Sequence, residues 1–335
     1  MTLMLLALPL VTAAPRTPVV AIMSHPAMLN DTATADTVES AGAGASASSQ
    51  SLSKRRQYMA ASYVKWLELA GARVMPLSYH STDAEVDRAF SQVNGALFMG
   101  GGAQLPAAAR RLWSRAVAAN AAGDHFPIWG SCLGFEWIMQ LASGDDHILA
   151  GGFDSENLTL PLNLTAAAAS SRILAPAAST PVAFAEHPRS ILDALALPVT
   201  MNNHQQGVTP AAFAASDALT KTFSVLSTNA DRTGRAFVST VEGKAMPVWA
   251  AQWHPEKNIF EQGAVLPEGY PYEVVQHTLE AVMVSQYFAN FFVAQCREST
   301  HAFASAEEEW GSLIYRYTTS LAYAPAFEQV YFFDY

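Results

Sequence analysis

The sequence predicts an α/β fold with a mainly parallel central sheet flanked by helices. Three observations lead there. Within about the first 140 residues, four apolar runs are each followed by a helical pattern. Two of those runs end directly in glycine-bearing turns, ALFMGGG and FPIWGSC, and three more strand-like runs come late in the chain.

Each element has a local reason. Residues 16–24, RTPVVAIMS, are extended and apolar, the pattern of a buried first strand. Residues 33–53 are small, polar and glycine-bearing, so they are expected to form a flexible surface insertion. From Lys54 to Ala70, Tyr58, Ala61, Trp66, Leu67 and Leu69 recur at mostly helical spacing, and Gly71 stops the helix. A strand at 73–79, a helix at 83–93 and a strand at 96–99 follow, the last running into Gly100–Gly102. Residues 106–121 form an alanine-rich helix with Leu112 and Val117 turned inward. FPIWGSCLGFEWIMQL at 126–141 is a short strand to Gly130, then a helix beyond Cys132.

The stretch from 145 to 220 is less regular, with strand-like runs at 148–153, 158–164 and 182–184 broken by Pro, Ala and Ser. Residues 222–228, 236–241 and 247–253 read as three strands close together in the sheet, and 273–297 as the longest helix. The aromatic tail, 301–335, is expected to pack back, so that 15–335 forms a single domain.

Composition excludes whole classes. With 50% hydrophobic and 14% charged residues, the 335-residue chain has material for a large core and too little charge for disorder. Its 19 Lys and Arg against 29 Asp and Glu give a net charge of −10, which argues against nucleic acid or an anionic membrane as partner. Two cysteines, Cys132 and Cys296, allow at most one disulfide and no thiolate zinc site.

Residues 1–14, MTLMLLALPLVTAA, have the apolar core and small residues of a secretory signal peptide, although no basic residue precedes them. A buried first strand would share that composition. The triplets beginning at Asn30, Asn157 and Asn163 are glycosylation acceptors only if the chain is exported. No later run of eighteen apolar residues suggests a membrane span.

Open parallel sheets bring reactive groups to the carboxyl ends of their strands, so the two glycine turns are where chemistry is expected. Gly130-Ser131-Cys132-Leu133-Gly134 fits a strand-to-helix elbow that exposes a nucleophile. The helix N-terminus beyond it favours a thiolate. A buried structural cysteine is the plainer reading. Gln252-Trp253-His254-Pro255-Glu256 ends another strand, putting His254 at the same rim as a base and Glu256 within reach to orient it. The amides of Gly101, Gly102 and Leu133 could face the oxyanion of a tetrahedral intermediate. There is no H-E-x-x-H or cysteine cluster, so a metal hydrolase is not expected, and the glycine run fits neither G-K-[ST] nor G-x-G-x-x-G.

Taken in order, ALFMGGG, FPIWGSCLGFEW, NNHQQGV and VWAAQWHPEK resemble the gamma-glutamyl hydrolase family, within the class I glutamine amidotransferase-like superfamily. YMAASYVKWLELAGARVMP at 58–76 is similar to the family's first helix and second strand, and SAEEEWGSLIYRY to its tail. The resemblance covers most of residues 16–298. It implies a flavodoxin-like three-layer sandwich and cofactor-free hydrolysis of the gamma-linked tail of folate polyglutamates. It also implies a lysosomal, vacuolar or extracellular location. The lack of a synthetase domain fits the hydrolase better than an amidotransferase.

By that resemblance Cys132 is the nucleophile, His254 the base and Glu256 its orienter. His204 lies near the substrate, and Glu136 is an acidic residue just past the elbow. From the residues alone, His204 could be a turn residue, Glu136 a helix cap and Cys296 a packed thiol. The chain departs from the family at Ser24-His25, where relatives commonly have glutamine, and in its longer 33–53 segment. An anionic small-molecule substrate must approach an acidic protein. The pocket is therefore expected to oppose that charge through His204, backbone amides or a Lys or Arg the sequence does not identify. Two other functions stay open: a glutaminase or small gamma-glutamyl amidase, and an exported binding protein without activity. A homodimer is also left open.

Overall fold

Along the first strand, β1 (Val19–Met23), Val20 and Ile22 enter one apolar cluster while Val19, Ala21 and Met23 enter another. Only a strand covered on both faces has that pattern, and it fixes β1 at the centre of a layered structure. The computed structural model describes residues 17–27, 56–264, 269, 271–321 and 327–335. The leader at 1–14, the Asn30 triplet and the whole 33–53 insertion lie outside them.

The remaining strands of the main sheet are β2 (Arg73–Leu77), β3 (Gly95–Phe98), β4 (Ile128–Ser131), β5 (Asn163–Leu164), β6 (Phe223–Ala230), β7 (Ala236–Gly243) and β8 (Val248–Ala251). Their order is β2-β1-β3-β4-β8-β7-β6-β5. Pairing is parallel from β2 across to β8 and antiparallel from β8 to β5. The cause is connection length. Helices carry the chain back between the early strands, whereas β6, β7 and β8 are joined by short turns that permit only antiparallel pairing. The sheet is thus mixed, with a parallel half that holds the two glycine turns.

The five longest helices among the described residues cover it: α1 (Ala61–Leu69), α2 (Asp83–Gln92), α3 (Ala107–Ala121), α4 (Leu133–Ser143) and α5 (Leu279–Cys296). Helices α1 and α5 pack on one face with Trp129, Trp249 and Trp253, and the Trp66 indole donates to the Ser285 carbonyl at 3.1 Å. Helices α2, α3 and α4 cover the other face. This is the three-layer sandwich of the class I glutamine amidotransferase-like type. Among the described residues, no helix is long and apolar enough to cross a membrane.

Three local expectations change. The helix expected from Lys54 begins at Ala61, because Arg56–Ala60 is a strand held between His25–Pro26 and the C-terminal strand Val330–Asp334. The tail does pack back, and this pairing is how. Val182–Phe184 is not a strand: Val182 is buried, while Phe184 is 95% exposed with φ at 64°. The long helix starts at Leu279 rather than Glu273, since the Thr278 hydroxyl caps it by accepting from the Ala281 amide. Cys296 is packed inside α5, and both cysteines are free.

Backbone approaches backbone closely where α4 crosses β3. A Cβ on Gly134 would sit 1.9 Å from the Phe98 carbonyl oxygen, so only glycine fits. Gly134→Ala is expected to destabilise the fold by about 3 kcal/mol, read from the urea midpoint. An unchanged midpoint would contradict this packing.

Candidate active site

Parallel register aligns Phe98, Gly130 and Ala250 on β3, β4 and β8. Gly100 and Cys132 lie two residues beyond that line, and His254 four beyond it. Convergence of these three groups is therefore a consequence of strand register.

Cys132 forms the elbow. It has φ 51° and ψ −110° at the cap of α4, and its amide donates to the Ala251 carbonyl at 2.8 Å. A non-glycine residue in that region costs on the order of 1–3 kcal/mol, strain that accumulates at functional positions. Its sulfur lies 3.8 Å from the Asn203 carbonyl oxygen. Burial pushes the thiol's pKa up and the nearby Glu136 charge adds to this, while Lys257 and the Leu133 amide act the other way. The helix N-terminus does not prevail over burial, so the resting group is a thiol.

His254 is buried, with Nδ1 2.7 Å from Glu256 Oε1. A ring nitrogen facing a carboxylate carries the proton, which leaves Nε2 as the basic nitrogen. The Tyr63 hydroxyl lies 3.1 Å from the same Nδ1 and accepts the Gly100 amide at 2.8 Å. Burial and the charges of Glu256 and Cys132 hold its pKa high, so it stays a phenol. A Cβ on Gly100 would come within 2.6 Å of that hydroxyl, 2.7 Å of His254 Cε1 and 3.2 Å of Cys132 Cβ. All three side chains thus pack around one bare Cα. Because Tyr63 takes the Gly100 amide, Gly101 and Gly102 are the loop residues that face the cleft.

The cleft has a volume of about 610 Å³ and is lined by Cys132, Leu133, Gly101, Gly102, Glu136 and His204, among others. Glu136, in the first turn of α4, accepts from Gln252 Nε2 at 3.1 Å, and burial raises its pKa to about 7. The His204 Nδ1–H donates to the Gln206 carbonyl at 2.7 Å, leaving Nε2 without a partner. Burial lowers its pKa to about 4. Burial thus favours the neutral form of His204 near pH 7. His25 forms part of the wall behind Gly101, fully buried against Trp137 with ring centroids 5.0 Å apart.

Sequence reading overlooked Tyr63, Gln252 and the buried Lys257, which is ion-paired with Glu273. Tyr63 looked like one more aromatic in a helix. Gln252 had a visible signal: a lone amide between the apolar strand VWAA and Trp253. Among the described residues, no group of three or more His, Cys, Asp or Glu side chains is placed to hold a metal ion.

The family model described as Peptidase C26 matches residues 41–256. Gamma-glutamyl hydrolase from Mus musculus is 38% identical over 288 residues, covering 83% of this chain and 83% of the relative. The chain belongs to the gamma-glutamyl hydrolase family. Gamma-glutamyl hydrolase B from Dictyostelium discoideum is 36% identical over 285 residues, covering 83% and 77%. Gamma-glutamyl hydrolase 1 from Arabidopsis thaliana is 34% identical over 282 residues, covering 82% and 76%. In general terms, membership of this family makes the protein a cysteine hydrolase of gamma-glutamyl amide bonds.

The charge on Glu136 disfavours a thiolate at Cys132. Glu136→Gln is thus expected to move the alkylation profile of Cys132 to lower pH by about one pH unit. Iodoacetamide rates measured across pH check this; a move to higher pH would contradict it.

Proposed function

We propose that this protein hydrolyses the gamma-glutamyl amide bonds of folate poly-gamma-glutamates through a thioester on Cys132. Two observations in a member of this family carry the reading: Cys132, Gly101 and Gly102 line one cleft, and the His254 ring, paired with Glu256, packs with Cys132 around Gly100. His254 Nε2 takes the thiol proton as the sulfur attacks the gamma-carbonyl carbon. The amides of Leu133, Gly101 and Gly102 receive the oxyanion. His254 then gives its proton to the leaving amine as the C–N bond breaks, forming the thioester. Water, deprotonated by the same nitrogen, attacks the thioester, and C–S cleavage releases the carboxylate and restores the thiol. Glu256 keeps the Nδ1 tautomer throughout. Neutral His204 offers Nε2 as an acceptor to a substrate donor, and Glu136 bounds the cleft on the helix side.

Cys132→Ala is expected to lower turnover by about 10⁴-fold or more, with His254→Ala nearly as severe. Glu256→Ala should cost about one to two orders of magnitude less, because both reacting groups remain. Mass analysis of products from folate pentaglutamate, glutamine and gamma-glutamyl dipeptides identifies the substrate. Cleavage of only the small amides would favour a glutaminase or amidase, and no cleavage a binding protein. Full activity of Cys132→Ala would refute the scheme.

The apolar stretch at 1–14 and the acceptor triplets support a place in the secretory pathway. The two described acceptors differ. Both are exposed, but Asn157 Oδ1 accepts the Val274 amide at 2.5 Å, whereas Asn163 lies on the edge strand β5. In a glycosylating host, Asn163 is therefore expected to carry more glycan than Asn157. Peptide mapping after enzymatic deglycosylation measures both, and the reverse ratio would contradict the expectation.

A further inference from the structure

The cleft does not end at Glu136. A second chamber of about 490 Å³ adjoins it, and Gln104, Leu105, Gln140, Leu149 and Gln206 line both spaces. Together they form one continuous groove that starts at Cys132 and reaches α3. The two halves differ in charge. Among the described residues, the inner half is lined by Glu136 and Glu156 but by no Lys or Arg. The outer half brings in Arg110, the single Lys or Arg among the described residues lining either space.

Arg110 is exposed on α3 and is held by Asp146, with Nη2 2.7 Å and 2.8 Å from the two carboxylate oxygens. Both contacts use one nitrogen, so the fork keeps other N–H donors for a second acceptor. Around it the walls are mainly amide and charged side chains, which suit carboxylates better than an aromatic ring. His204 is neutral and Lys257 is committed to Glu273, so neither supplies the positive charge an anionic chain needs.

We propose that the outer chamber is a subsite for the distal carboxylates of a poly-gamma-glutamate chain, with Arg110 as its specificity-determining cation and Asp146 as the competitor that weakens it. The substrate class rests on the hydrolase reading given above. A short substrate engages Cys132 without reaching Arg110, while a long tail fills both chambers. Arg110 therefore acts on the preference for tail length and leaves the chemical step alone.

Steady-state kinetics on folate di- and pentaglutamate test this with R110Q and D146N, both surface changes that leave the core intact. R110Q is expected to raise KM for pentaglutamate about tenfold, with kcat unchanged and the diglutamate KM within about twofold. D146N should lower the pentaglutamate KM about threefold. Calorimetry with free tetra-gamma-glutamate gives a readout independent of turnover, and R110Q should weaken its binding about tenfold. Equal KM changes on both substrates, unchanged binding in R110Q, or no binding to the wild type would overturn the subsite. Should the wild type bind tetra-gamma-glutamate through Arg110 yet cleave neither folate, the subsite stands and the proposed reaction fails.

Discussion

Everything at the candidate site depends on the missing side chain at Gly100. The Tyr63 hydroxyl, the His254 ring and the Cys132 Cβ all approach the point where a Cβ would be. Even a methyl group there would push apart the phenol, the imidazole it contacts and the Cys132 side chain. The constraint extends into the backbone, because the Gly100 amide is the donor that holds Tyr63. Gly100 thus sets where His254 can sit, and the rigid strand end β3 sets where Gly100 sits. Precision of this kind comes from sheet register, which is stiffer than any loop could be.

Burial then decides the chemistry. Cys132, His254 and Glu256 are all nearly or wholly removed from water, and the carboxylates around them outnumber the one buried lysine. A thiolate at rest would be disfavoured in that setting, and the direction of the Cys132 shift agrees. In the proposed reaction the thiol would therefore need to lose its proton to His254 as it attacks. Such a thiol is also less exposed to oxidation than a free thiolate, since reactivity toward oxidants follows thiolate character and access.

The parallel half of the sheet was legible in the sequence because its strands are short apolar runs ended by glycine, and each is followed by a helical pattern. Cys132 and His254 were legible for the same reason: both follow a strand end. What escaped was held together by distant partners. Arg56–Ala60 looks helical by local spacing and becomes a strand through its pairing with Val330–Asp334. Tyr63 is indistinguishable from a core aromatic until its hydroxyl is seen between Gly100 and His254. The direction of the His204 shift was not legible either, because burial, which sequence position alone does not reveal, lowers its pKa.

That distant strand pairing also reaches the site. The Ala61 amide, at the start of α1, donates to the Gln329 carbonyl at 2.9 Å, and Lys65 donates to the Gln329 side chain at 2.7 Å. Helix α1 carries Tyr63 between these two anchors. Residues near the end of the chain therefore fix the height and rotation of the helix whose phenol orients His254. On the opposite side of the same strand, His25–Pro26 pairs with Gln57 and Tyr58, and the His25 ring packs behind Gly101. One short strand thus joins the C-terminal segment to both walls of the Gly100 turn. The tail is part of what keeps the imidazole and the Gly100–Gly102 loop in a single geometry.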